Sequence, residues 1–149
     1  MALDYQIVMD CAEPLELSRF WAKALGYEPE DNGALIEQVV AQGLAGEADY
    51  TIVDGRKAWR TLAAIRHPED PVHEFTGAGL GRRILFQQVP EAKTVKNRVH
   101  LDLNSGPRDR GTEVSRLEGL GATVVAVVEE PGASHVTMRD PEGNEFDVQ

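Results

Sequence analysis

The stretch "NRVHLDLN", Asn97–Asn104, alternates apolar and polar residues. Successive side chains on a strand point to opposite faces. Val99, Leu101 and Leu103 therefore share one face, and His100, Asp102 and Asn104 the other. The same pattern occurs in "YQIVMD", Tyr5–Asp10, which sets Gln6 against His100, Val8 against Asp102 and Asp10 against Asn104. A strand with a histidine and a carboxylate on one face is either half-solvated or lines a ligand site. The rest of the chain bears on which.

The similarity extends beyond the strands. A proline-bearing break follows each, "CAEP" and "NSGP", and then a segment of helical period. In "PLELSRFWAKALG", Leu17, Phe20, Trp21, Ala24 and Leu25 fall on one stripe. Trp21 is expected to pack that helix on a sheet. Gly26 is a natural left-handed stop. In "DRGTEVSRLEGLG", Val114, Leu117 and Leu120 form the stripe and Gly121 the stop. A strand-like segment follows each helix, "YEPE" and "ATVVAVVEE". The second half closes with "HVTMR", the turn "DPEGN" and the strand "EFDVQ". In the turn, Asp140 can bond ahead along the backbone, Pro141 fixes φ, and Gly143 and Asn144 tolerate positive φ. The unit reads β-α-β-β-β, and the chain reads as α+β: two tandem modules, 1–93 and 94–149, within one domain.

The first module carries an insertion over about 34–80. "ALIEQVVAQGL" has Leu35, Val39 and Val40 at helical spacing and predicts a short helix. "DYTIVD" and "RRILFQQV" read as strands. "AWRTLAAI", Ala58–Ile65, fits helix or strand. The loop Arg66–Gly81 holds His67 and His73, which are expected to face solvent.

Composition bounds the function classes. Lys plus Arg is 15 and Asp plus Glu 25, a net charge of −10. That disfavours nucleic acid and anionic membranes as partners, both of which attract concentrated positive charge. Cys11 is the sole cysteine, so no intrachain disulfide or cysteine metal cluster forms. "MALDYQIVMD" lacks the basic start and apolar run of a secretory leader, and no apolar run approaches membrane-spanning length. A cytoplasmic protein is the expectation.

The "FW" helix ending in "LGYE", the junction "ILFQQVPEAKTVKNRVHLDL" and the closing "DPEGNEFDV" resemble the vicinal oxygen chelate superfamily, in its glyoxalase/bleomycin resistance/dioxygenase group. The resemblance implies two βαβββ modules whose curved sheets form a half-barrel cleft, and a homodimer. It also implies a divalent metal held by the first and last strands of each module, with a small molecule chelating it through neighbouring oxygens. Carried over, those positions are Gln6, His100 and Asp147. The fourth falls on Leu85, which cannot ligate, with Gln87 two residues on along the same face. Amide oxygen, imidazole and carboxylate suit Zn, Ni, Mn or Fe.

Two functions follow. One is a metal-dependent enzyme of lyase or isomerase type, with Glu145 or Asp102 moving a proton. The missing fourth ligand argues against a glyoxalase proper. The other is a metal-free protein that binds an antibiotic-like molecule without chemistry. Gln87, His135 and Trp59 are candidate ligand-binding residues in either case.

Overall fold

The residues that alternate in "IVMDC" form β1 (Ile7–Cys11), and the apolar stripe after it forms α1 (Pro14–Leu25). Pro14 stands in the first turn of α1, where no backbone N–H is needed. Gly26 ends the helix at φ 69°, a conformation open to glycine without steric cost. A computed structural model describes all 149 residues, Met1–Gln149, and divides into two units, Met1–Glu91 and Ala92–Gln149.

In the first unit β1 and α1 are followed by β2 (Glu28–Pro29), α2 (Gly33–Ala41), a hairpin of β3 (Tyr50–Val53) and β4 (Arg56–Trp59), β5 (Leu62–Arg66) and β6 (Arg83–Gln88). The sheet runs β1-β6-β5-β2, with β1 parallel to β6 and the other pairs antiparallel. β3 and β4 form a separate two-stranded sheet. The segment "AWRTLAAI" resolves into strand ends joined by a bend, with Ala63 and Ile65 alternating against Ala64. β5, although inside the stretch 34–80, is the third strand of the sheet's ladder. In α2 the buried anchor is Ile36, rather than the expected stripe of Leu35, Val39 and Val40.

The core of this unit lies between α1 and one face of the sheet. Leu17, Phe20, Trp21 and Ala24 pack against β5 and β6, where Ile65, Ile84 and Phe86 are buried. Phe20 and Trp21 meet edge to face, 5.4 Å between centroids. The other face, which carries Gln6, Val8, Arg83, Leu85 and Gln87, is open.

The second unit has β7 (Asp102–Leu103), α3 (Arg110–Leu120), β8 (Thr123–Glu130), β9 (Ala133–Arg139) and β10 (Glu145–Val148). Its sheet runs β7-β10-β9-β8, again with first and last strands parallel. Asp109 caps α3 by accepting from Thr112 N–H at 2.9 Å. Leu117 packs under the helix with Val136, Met138, Phe146 and Val148. The closing turn behaves as its sequence requires. Asp140 accepts from Glu142 N–H and Asn144 N–H, each at 2.9 Å, and Gly143 has φ 88°.

The strand expected over 97–104 is corrected. Only Asp102–Leu103 is strand, and Val99 is 82 % exposed instead of packed. The reason lies in the hydrogen bonds. Asp147 and Gln149 N–H donate to the carbonyls of Leu101 and Leu103, but Asn97 N–H is captured by the Glu145 carboxylate. The chain therefore leaves the ladder before Leu101. His67 and His73 accept from nearby backbone N–H groups and serve as local turn caps within their loop. No helix is long and apolar enough to cross a membrane.

The face assignment predicts contrasting neighbours on β6. Phe86→Ala should cost about 3–5 kcal/mol, because it opens a cavity under α1. Gln87→Ala, on the open face, should change stability by less than about 0.5 kcal/mol. Urea unfolding of the two variants measures both.

Candidate metal centre

The register of the second sheet assembles the polar residues of its open face. Asp102 and Asp147 are Cα partners across β7 and β10, and Asp147 and Thr137 across β10 and β9. His100 lies two residues before Asp102, and His135 two before Thr137. Strand alternation brings Asp102, His135, Thr137 and Asp147 to the face opposite α3, and His100, just before β7, reaches the same group with its side chain.

The contacts converge on Asp147. His100 Nε2 is 3.3 Å from Asp147 Oδ2 and 3.3 Å from Asp102 Oδ1. His135 Nε2 lies 3.7 Å from the same Asp147 Oδ2. Thr137 Oγ1 donates to Oδ1 at 2.7 Å, which fixes the carboxylate's rotation. One donor atom from each of His100, Asp102 and Asp147 lies within 4.8 Å of the others. One imidazole nitrogen and two carboxylate oxygens this close suit a divalent ion of hard or borderline character. Charge supports the fit. The ion-pair partners of Asp102 and Asp147 are imidazoles alone, whereas Glu30, Glu113 and Glu145 each hold an arginine or lysine.

Glu145 shares this face and has partners of its own. It is 7 % exposed; it accepts from Asn97 N–H at 2.9 Å and pairs with Lys93 Nζ at 3.2 Å. Burial alone would raise its pKa. Hydrogen bonds from backbone N–H groups and from Lys93 outweigh that and hold it at about 2. A carboxylate so acidic is a weak base at neutral pH. Glu145 thus fastens the segment Lys93–Asn97 to β10.

The first unit holds the other expected residues. Gln6 Oε1 accepts from Arg83 Nη1 at 2.8 Å. Arg83 in turn grips Glu30 through Nε at 2.6 Å and Nη2 at 2.8 Å, and the Glu30 side chain is fully buried. Val8 and Leu85 are Cα partners, the same relation as Asp102 and Asp147. Leu85 therefore occupies the place equivalent to Asp147, as the sequence spacing implies. Gln87 pairs with Asp10 and is exposed. Trp59 is half-buried and lines a cavity of about 390 Å³ with Leu15, Ser18, Asp31 and Leu62. Sequence reading missed Arg83, Glu30 and Thr137. Their signal was parity: Arg83 falls two before Leu85, and Thr137 two after His135.

With this geometry established, the chain can be placed. It belongs to the glyoxalase-like domain family, whose profile matches residues 6–149. The family and the fold together define it as a member of the vicinal oxygen chelate superfamily, as the junction and closing hairpin had implied. The fold is similar to that of the fosfomycin resistance protein FosX from Mesorhizobium loti, at 7 % identity and TM-score 0.57, covering 100 % of this chain and 91 % of that one. It is similar to FosX from Listeria monocytogenes in complex with Mn(II) and 1S,2S-dihydroxypropylphosphonic acid, at 9 % identity and TM-score 0.58, covering 100 % and 90 %. A glyoxalase/bleomycin resistance protein/dioxygenase family enzyme from Burkholderia phytofirmans matches at 11 % identity and TM-score 0.56, covering 96 % and 94 %. No curated protein sequence matches the chain.

The role of Glu145 has a pH signature. Its folded pKa of about 2 lies below the ordinary 4.5. Its contribution to stability is therefore complete above about pH 4.5 and is lost as pH falls toward 2. Glu145→Gln should lower stability at pH 7 by about 1–3 kcal/mol and flatten the acid limb of the stability profile. Denaturant titrations from pH 7 to pH 3 test this.

Proposed function

We propose that the protein is a divalent-metal-dependent enzyme acting on a small molecule with two neighbouring oxygens, in lyase or isomerase-type chemistry. The observation that carries the reading is the convergence of His100 and Asp147 on the open face of the second sheet, with negative charge there that no lysine or arginine balances. The Mn(II) complex of the Listeria FosX, which shares the fold, supports it.

His100 and Asp147 would hold the ion. When bound, a divalent ion polarises a substrate oxygen and stabilises the charge that develops on it. The chain's own residues set the stage. Thr137 binds Asp147 Oδ1 and leaves Oδ2 turned toward both imidazoles. His135, whose side chain is 22 % exposed, can hydrogen-bond a substrate oxygen beside that carboxylate. A metal-free binding pocket would leave the two aspartates facing each other across one imidazole, an arrangement suited to a cation and not to an oxygen-rich ligand.

Protein purified without chelator should contain near-stoichiometric transition metal by elemental analysis. His100→Ala and Asp147→Ala should each lose it, with at least a hundredfold weaker rebinding, on the order expected when a ligand is removed. Metal-restored protein should then turn over a member of an α-oxo, enediol or hydroxylated substrate panel, and apo protein should not. A wild-type protein that neither retains nor rebinds Zn, Ni, Mn or Fe(II) at micromolar concentration would sink the reading.

A further inference from the structure

The superfamily resemblance distributes metal donors over both modules, two from each. The donors in this chain are placed differently. In the first unit, the places equivalent to His100, Asp102, His135 and Asp147 are Gln6, Val8, Leu62 and Leu85. Three are aliphatic. The fourth, Gln6, has its amide oxygen held by Arg83, a cation itself anchored on buried Glu30. An ion on Gln6 Oε1 would share that oxygen with a guanidinium donor and sit close to its positive charge, which opposes binding. The second unit shows the complementary change: its first strand offers an extra carboxylate, Asp102, where the first unit has Val8.

We infer that the metal centre is built wholly within the second unit, with Asp102 as the third protein ligand beside His100 and Asp147, and that Gln6 is not a ligand. The inference rests on the metal reading above. Three observations support it. The donor atoms of the three residues lie within 4.8 Å of one another. Asp102 faces Asp147 directly across paired strands, and no lysine or arginine neutralises either carboxylate. Thr137 fixes Asp147 from the side away from this group. The chemistry narrows the metal. One nitrogen and two anionic oxygens favour Mn(II) or Fe(II) over softer ions, which prefer nitrogen- and sulfur-rich sites.

The test is Mn(II) titration of the full chain, followed by loss of the free-ion electron paramagnetic resonance signal, for wild type, Asp102→Ala, Asp102→Asn and Gln6→Ala. The Asp102 side chain is 55 % exposed, so its removal should leave the melting temperature of the metal-free protein unchanged, which separates ligand loss from misfolding. Asp102→Ala should weaken Mn(II) binding by about a hundredfold or more and Asp102→Asn by less, while Gln6→Ala should stay within about threefold of wild type. Wild-type binding that survives Asp102→Ala within threefold, or that is lost in Gln6→Ala, overturns this inference and leaves the metal-dependent function standing. Absence of Mn(II) binding by wild type overturns this inference, and absence of Zn, Ni and Fe(II) binding as well overturns the metal-dependent function too.

Discussion

The parallel pairing of first and last strand is the constraint on which each unit depends. A hairpin cannot join parallel neighbours; the chain must cross over, and in the second unit it does so through α3, β8 and β9. The helix then covers one face of the sheet, and the other face is left for polar residues. The pairing also sets register. Once Asp102 stands opposite Asp147, the two-residue period sets Thr137 on the same face, and His100 reaches both carboxylates from just before β7. A slip of one residue would turn Asp147 into the core and Phe146 out of it, so burial of Phe146 and Val148 fixes where the carboxylate points.

Charge compensation separates the acids of this chain into two groups. Glu30 is locked by Arg83, Glu113 by Arg116 and Arg108, and Glu145 by Lys93 and two backbone N–H groups. Each can be buried because its charge is paired and hydrogen-bonded. Asp102 and Asp147 have imidazoles instead. No lysine or arginine stands beside either carboxylate.

The two units show one scaffold with divergent surfaces. Their sheets have the same strand order and the same parallel edge pair. The helix-facing positions are apolar in both, because both bury them. The open-face positions differ freely, since nothing in the fold requires them to be alike: Leu62, Ala64 and Leu85 in one, His135, Thr137 and Asp147 in the other.

Much of this was legible in the sequence. The two helices, with Gly26 and Gly121 as stops, follow from periodicity and the steric freedom of glycine. The closing turn follows from Asp140, Pro141 and Gly143, because the interactions involved are local. The equivalence of Leu85 and Asp147 followed from the internal repeat and held in the strand register. The placement of Glu145 and Gln6 did not follow. Alternation put both on an open face, but their partners, Lys93 with Asn97 and Arg83 with Glu30, come from distant segments. Nor did it show that Val99 leaves the ladder, since Glu145 draws Asn97 away across 48 residues of chain. Within the strands that form, the face each side chain takes is legible in the sequence, because it depends on backbone period. Which polar groups on that face are already satisfied emerges only on folding, because a hydrogen-bond partner is chosen by distance in space.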